Sequence, residues 1–90
     1  MPANRKISTK RKQIDKIDDK LLAFINRRAE ISLDIRELKK AEGMDVYDPA
    51  REDEVVSKLC SRNKGPLSDK DIDELFKTIM KINRGLPDKK

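Results

Sequence analysis

Residues 27–39 read RRAEISLDIRELK, a stretch whose charges fall where a packed helix normally keeps apolar side chains. Alternating steps of four and three from Leu21 pass through Ile25, Arg28, Ser32, Ile35 and Lys39, a regular heptad seam. The same count run backwards reaches Asp18, Ile14 and Arg11. One seam therefore carries three cations, and a cation inside a helical interface is costly unless something negative meets it.

For a single arginine the ordinary explanation is a buried acidic partner, or a stem laid along the apolar surface with its head in water. Three cations on one seam weaken that explanation and point to an anionic ligand. Arg28 and Lys39 lie eleven residues apart, which is about 16 Å along the axis and returns a helix to nearly the same face. Both can lean toward one small anion between them. Arg11 lies seventeen residues from Arg28, about 25 Å on a straight helix, so it either acts alone or is supplied by another chain. An antiparallel partner helix would bring the second chain's Arg11 beside the first chain's Arg28 and Lys39, and symmetry would make two such sites per dimer. Two guanidinium groups and an ammonium suit a small ligand carrying more than one carboxylate. Asp48 and Glu52, four residues apart, share a face and offer acceptors for a hydroxyl, although Asp48 also reads as a plain helix cap.

Ninety residues make one domain at most, and a chain this short is often marginal alone. Charged residues are 43% of the composition and aromatics 3%, a profile of long helices rather than of a sandwich or barrel. The net charge of +5 is concentrated in Arg5, Lys6, Lys10, Arg11 and Lys12, all before the first acidic residue, which leaves 17 basic against 17 acidic residues. With no aromatic or zinc-ligand pattern beside it, this basic arm reads as a solvated terminus rather than a nucleic-acid grip. No run of eighteen apolar residues and no apolar signal core is present, so neither a membrane nor export is expected. The lone Cys60 suits a reducing compartment, reads as a small core residue beside Val56 and Leu59, and agrees with a cytoplasmic protein.

The chain reads as all-α, with three helices. From about Ser8 to Glu42 there is no Gly or Pro, and apolar residues recur with helical spacing, so one long helix of about 50 Å is expected, ending at Gly43. A helix of that length should pair with more than its own short neighbours. The second helix starts with Asp48 as cap and Pro49 at its first position, and carries Val55, Val56, Leu59 and Cys60 before stopping in SRNKGP. The third begins at Ser68, with Asp71 three residues on as in a capping box. Its apolar face is expected to be Ile72, Leu75, Phe76, Ile79 and Ile82, and NRGLP closes it. The organisation is thus a basic arm (1–7), a helical domain (8–86) and a short tail (87–90).

Conventional catalytic equipment is lacking: there is no histidine, no cysteine pair for zinc, no glycine-rich phosphate loop and no triad. No metal or cofactor is expected. An enzyme built from this sequence would work by holding its substrate and by electrostatics.

RKQIDKIDDKLLAFINRRAEISLDIRELK, followed by VYDPARED and a third helix after GPLSD, resembles the all-helical chorismate mutases over about residues 8–86. The phrasing is most similar to the mutase domains fused to prephenate dehydratase. The resemblance implies an intertwined homodimer of three-helix chains that rearranges chorismate to prephenate in phenylalanine and tyrosine biosynthesis. It implies that Arg28 and the partner chain's Arg11 hold the two carboxylates, that Lys39 lies against the ether oxygen, and that Asp48 and Glu52 receive the ring hydroxyl. Arg51 would steady the acidic pair or the ligand. The family usually presents a Ser and, four residues later, a Gln or Glu on the third helix; here those positions are Asn83 and Pro87. Asn83 can still donate a hydrogen bond and Pro87 cannot, which predicts a slower enzyme or one that uses another group. Isochorismate pyruvate-lyase activity on the same fold, and a non-catalytic helical dimer that binds a carboxylate metabolite, are the alternative functions.

Overall fold

The computed structural model describes residues 2–88 and contains three helices in the order α1 (Pro2–Ala41), α2 (Pro49–Arg62) and α3 (Asp69–Arg84), with no strand among the described residues. Met1 of the basic arm and Lys89 and Lys90 of the tail lie outside the described residues. The helix α1 starts six residues earlier than the apolar spacing predicts. Pro2 is tolerated at a first helical position, and nothing in the following residues breaks the turn. The chain divides at Glu30 and Ile31 into two compact units. The second unit contains the last turns of α1 together with α2 and α3, which pack on each other.

Each helix end in this unit is built by a different device. At the end of α1, Gly43 has φ +68°, and the Gly43 and Met44 amides donate to the carbonyls of Lys40 (3.2 Å) and Lys39 (2.8 Å). That is a Schellman closure, with glycine at the left-handed position where a Cβ would be strained. Lys39 and Lys40 in the last turn also face the negative end of the helix dipole. At the start of α2, the Asp48 carboxylate accepts from the Arg51 amide at 3.0 Å, with Pro49 next in line. At the start of α3 a full capping box forms: the Asp71 amide donates to Ser68 Oγ and the Ser68 amide donates to Asp71 Oδ2, both at 3.1 Å. Between α2 and α3, Asn63 ties the link together by donating to the Leu67 carbonyl and accepting from the Gly65 amide.

The end of α3 departs from the others. Gly85 is its C-terminal cap but stays in the right-handed region, φ −84°, and its amide turns back to the carbonyls of Lys81 (3.2 Å) and Ile82 (3.1 Å) while the Leu86 amide reaches that of Asn83 at 3.3 Å. Arg36 of α1 supplies further donors to the carbonyls that follow. Its guanidinium donates to the carbonyls of Asn83 and Leu86, both at 2.6 Å, and of Arg84 at 3.1 Å, and reaches Asp88 at 3.1 Å. Lys40 donates to the other oxygen of Asp88 at 2.7 Å.

The buried apolar residues are Val56, Ile72 and Met80, joined by the polar Arg36 and Asn83. On α3 the buried face therefore runs through Ile72, Met80 and Asn83, with Phe76 and Ile79 half-buried, whereas Leu75 and Ile82, expected on the core face, are exposed. Steps of four and three from Ile72 give 76, 80 and 83, and Leu75 and Ile82 lie on the flank of that stripe. On α2 the expected set holds: Val56 is buried and Val55, Leu59 and Cys60 are half-buried. Burial, reinforced by the neighbouring Asp69, pushes the Cys60 thiol above its ordinary range, as for an inert packed cysteine.

Candidate active site

A cleft of about 110 Å³ opens in the second unit. One wall is a face of α1 made by Ser32, Ile35, Arg36 and Lys39, which follow the spacing of a single helical stripe. The link after α1 adds Val46 and Asp48, the first turn of α2 adds Arg51 and Glu52, and the end of α3 adds Met80 and Arg84. Local sequence explains why these side chains meet. The Schellman turn at Gly43 reverses the chain immediately after Lys39, and the Asp48 cap starts α2 a few residues later. The cleft is thus formed where one helix ends and the next begins.

Four of the residues singled out from sequence come together here: Lys39, Asp48, Arg51 and Glu52. Lys39 is half-buried on the α1 wall. Asp48 is engaged as the helix cap, and Arg51 pairs with Glu54 at 2.6 Å on the exposed side of α2. Arg11 and Arg28 belong to the first unit and are not among the lining residues; Arg11 is exposed and Arg28 half-buried. Asn83 is buried between two lining residues of its own helix, Met80 and Arg84, and is not itself a lining residue.

Two cations that sequence reasoning passed over take part. Arg36 lines the cleft while its guanidinium holds the end of α3. It follows Arg28 and Ser32 at steps of four, one residue beyond the Ile35 selected by the heptad count, so a seam read in fours would have found it. Arg84 donates to the Glu52 carboxylate, and its guanidinium carbon stands 4.5 Å from the centroid of the Tyr47 ring. Nothing local marks Arg84, because Glu52 lies 32 residues away in sequence.

The result is a small cleft with cations and carboxylates on facing elements, suited to a ligand that has both anionic and hydroxyl groups. Among the described residues no group of three or more His, Cys, Asp or Glu is placed to share a metal ion. Among the described residues no helix is long and apolar enough to cross a membrane.

Comparison with known proteins agrees with this chemistry. A family model described as chorismate mutase type II matches residues 10–86. The bifunctional chorismate mutase/prephenate dehydratase of Pseudomonas aeruginosa is 36% identical over 75 residues, covering 78% of this chain and 20% of that protein. The chain therefore spans about a fifth of the length of such bifunctional relatives. The chorismate mutase of Methanocaldococcus jannaschii is 32% identical over 85 residues, covering 90% of this chain and 83% of that protein. Among solved structures, a chorismate mutase from Thermus thermophilus (form II) superposes with a TM-score of 0.88 at 33% identity, over 90% of this chain and 92% of that one.

Proposed function

The chain belongs to the type II chorismate mutase family, and we propose that it rearranges chorismate to prephenate, a unimolecular sigmatropic shift. The observation that carries this reading is the convergence of Lys39, Asp48, Arg51 and Glu52 in one cleft at the junction of α1 and α2. Such a reaction has no nucleophile, so catalysis consists of holding the compact conformer and meeting charge as it develops. Lys39 faces the ether oxygen, which gains negative charge as the carbon–oxygen bond breaks. Glu52 and Asp48 receive the ring hydroxyl, Arg51 steadies the ligand from the first turn of α2, and Arg28 holds a substrate carboxylate. Asn83 is buried off the cleft wall, so this reading gives it a place beside Met80 and Arg84 rather than a contact with the substrate.

The active form is a homodimer in which the partner chain supplies Arg11 for the second carboxylate. Two facts support it. A cleft of about 110 Å³ is small beside the roughly 300–1,000 Å³ of pockets that enclose a drug-sized ligand, so a further wall is needed. The apolar side chains of α1 are also too exposed for a lone chain, with Ile17 and Leu22 each 62% and Phe24 72% accessible. A role in aromatic amino-acid biosynthesis supports a cytoplasmic protein working without nucleic acid, membrane or cofactor.

Loss of chorismate absorbance with purified protein tests the reading. Lys39→Ala should lower kcat by about 100- to 1,000-fold, the usual cost of one donor aimed at a developing oxyanion. Wild-type turnover no faster than the spontaneous reaction would turn the reading to a carboxylate-binding domain. One observation favours that second reading: α3 ends at Arg84, so position 87 offers no helical side chain to the ether oxygen. Release of pyruvate from isochorismate, followed in parallel, would identify the lyase.

A further inference from the structure

The cleft contains one cation for which the assignments above have no task. Arg84 is fixed on three sides. Its guanidinium donates to Glu52 Oε2 and stands 4.5 Å from the centroid of the Tyr47 ring, close enough for cation–π attraction. Its backbone is anchored by Arg36, which holds the carbonyls of Asn83 and Arg84. A free surface arginine samples many rotamers, whereas this one is held from its carbonyl to its head group.

The carboxylate it grips is also set apart from its neighbours. The Glu52 side chain is only 14% exposed, against 72% for Asp53 and 61% for Glu54, which point away into solvent ion pairs with Lys77 and Arg51. A carboxylate with one oxygen engaged by a guanidinium keeps the other able to accept from a hydroxyl, and its plane is set by the first bond. From this geometry we infer that Arg84 is a positioning residue: braced by Tyr47, it orients Glu52 so that the second carboxylate oxygen accepts a hydrogen bond from the substrate's ring hydroxyl. The inference rests on reading the cleft as the chorismate site. It makes the Tyr47, Arg84 and Glu52 unit a determinant of specificity for the hydroxylated ring, because a site built around a substrate hydroxyl discriminates against the analogue lacking it.

The test compares kcat/KM for chorismate and for its analogue without the ring hydroxyl in wild type, Arg84→Ala, Glu52→Ala and the double variant. Misplacing a positioning group costs up to about 100-fold, so Arg84→Ala should lower kcat/KM for chorismate by roughly 10- to 100-fold while the value for the analogue changes little. The preference for the hydroxylated substrate should collapse to the same level in Arg84→Ala, Glu52→Ala and the double variant, since two residues acting as a unit are non-additive. Arg84→Lys, which keeps the charge without the planar fork, should recover part of the preference. Tyr47→Leu leaves Arg84 in place without its brace and should lower the preference less; it reads the same ratio if Arg84→Ala does not fold. A parallel fall for both substrates, or additive losses in the double variant, would overturn the inference while leaving the chorismate site intact. Wild-type protein that turns over neither substrate would remove the chorismate reading itself, and the inference with it.

Discussion

Arg36 ends a helix to which it does not belong. The backbone amide of Gly85 closes only onto Lys81 and Ile82, and the guanidinium of α1 holds the carbonyls beyond them, at 2.6 Å to Asn83 and Leu86. Hydrogen bonds to a charged group contribute about 1.5–3 kcal/mol each, so Arg36→Met, which keeps the bulk and removes the donors, should destabilise the protein by about 3 kcal/mol. For a chain of this size each kcal/mol moves the melting temperature by roughly 4–8 °C, and thermal denaturation followed by circular dichroism will show the loss. Arg36→Lys should recover only part of it, for one ammonium cannot reach three carbonyls in a plane. A melting temperature unchanged in Arg36→Met would mean that water satisfies the carbonyls equally well. The residue also marks a limit of what sequence reveals. Asp48 and Glu52 declare themselves by lying four apart beside a proline, whereas Arg36 and Arg84 act through partners 32 to 52 residues away. No local spacing encodes such pairs.

The helix boundaries from Gly43 onward, by contrast, were legible because their causes are local. Asp48 before Pro49, Ser68 with Asp71, and Gly43 after the last turn of α1 each satisfy orphan backbone groups within a few residues, and each is found at its expected place. The buried face of α3 was read less well, since Leu75 and Ile82 are as apolar as Ile72 and only packing direction separates them. The caps and clamps also set how the elements respond to acid. The backbone amide of Ser68, and then its side chain, hold the Asp71 carboxyl below the usual carboxylate range, and Lys40 followed by Arg36 does the same for Asp88. A carboxyl with a lowered folded-state pKa binds fewer protons in the native than in the unfolded chain. Its stabilisation is therefore present above the unfolded value of about 3.9 and is lost as pH falls through the lower native one. Melting temperature should accordingly decline below about pH 4, and the decline should be shallower in Asp71→Ala/Asp88→Ala, whose melting temperature at neutral pH is lower. Lys77, raised chiefly by its hydrogen bond to Asp53, works in the opposite direction. Its contribution is complete below about pH 10.4 and fades only as pH rises through its higher native value. Equal acid slopes in the wild type and the double variant would show that these two carboxyls do not govern the response.

At the scale of the whole molecule, the proposed second chain is supported by how little of the first is buried. Val56, Ile72 and Met80 are the buried apolar residues among those described, while Ile14, Ile17, Leu21, Leu22 and Phe24 of α1 are exposed. The seam with Arg11 at one end was visible in sequence; what no single chain displays is whose site that arginine serves. Arg11 and Arg28 stand seventeen positions apart on α1, about 25 Å along a helix, which is why the proposed arrangement gives them to different sites. Complementation decides the matter. Arg11→Ala and Lys39→Ala homodimers each carry the same lesion at both sites and should be nearly inactive. When the two variants are unfolded together and refolded, about half of the dimers are mixed. In each mixed dimer one site takes Lys39 from the first chain and Arg11 from the second, and is complete; the other lacks both. Activity should therefore rise to about a quarter of the wild-type value per chain. If Arg11 served its own chain, every site in the mixture would keep one lesion and activity would stay at the average of the parents. Arg28→Ala mixed with Lys39→Ala supplies the control: both residues are assigned to the same chain's site, no mixed dimer contains an intact set, and recovery there would refute the arrangement.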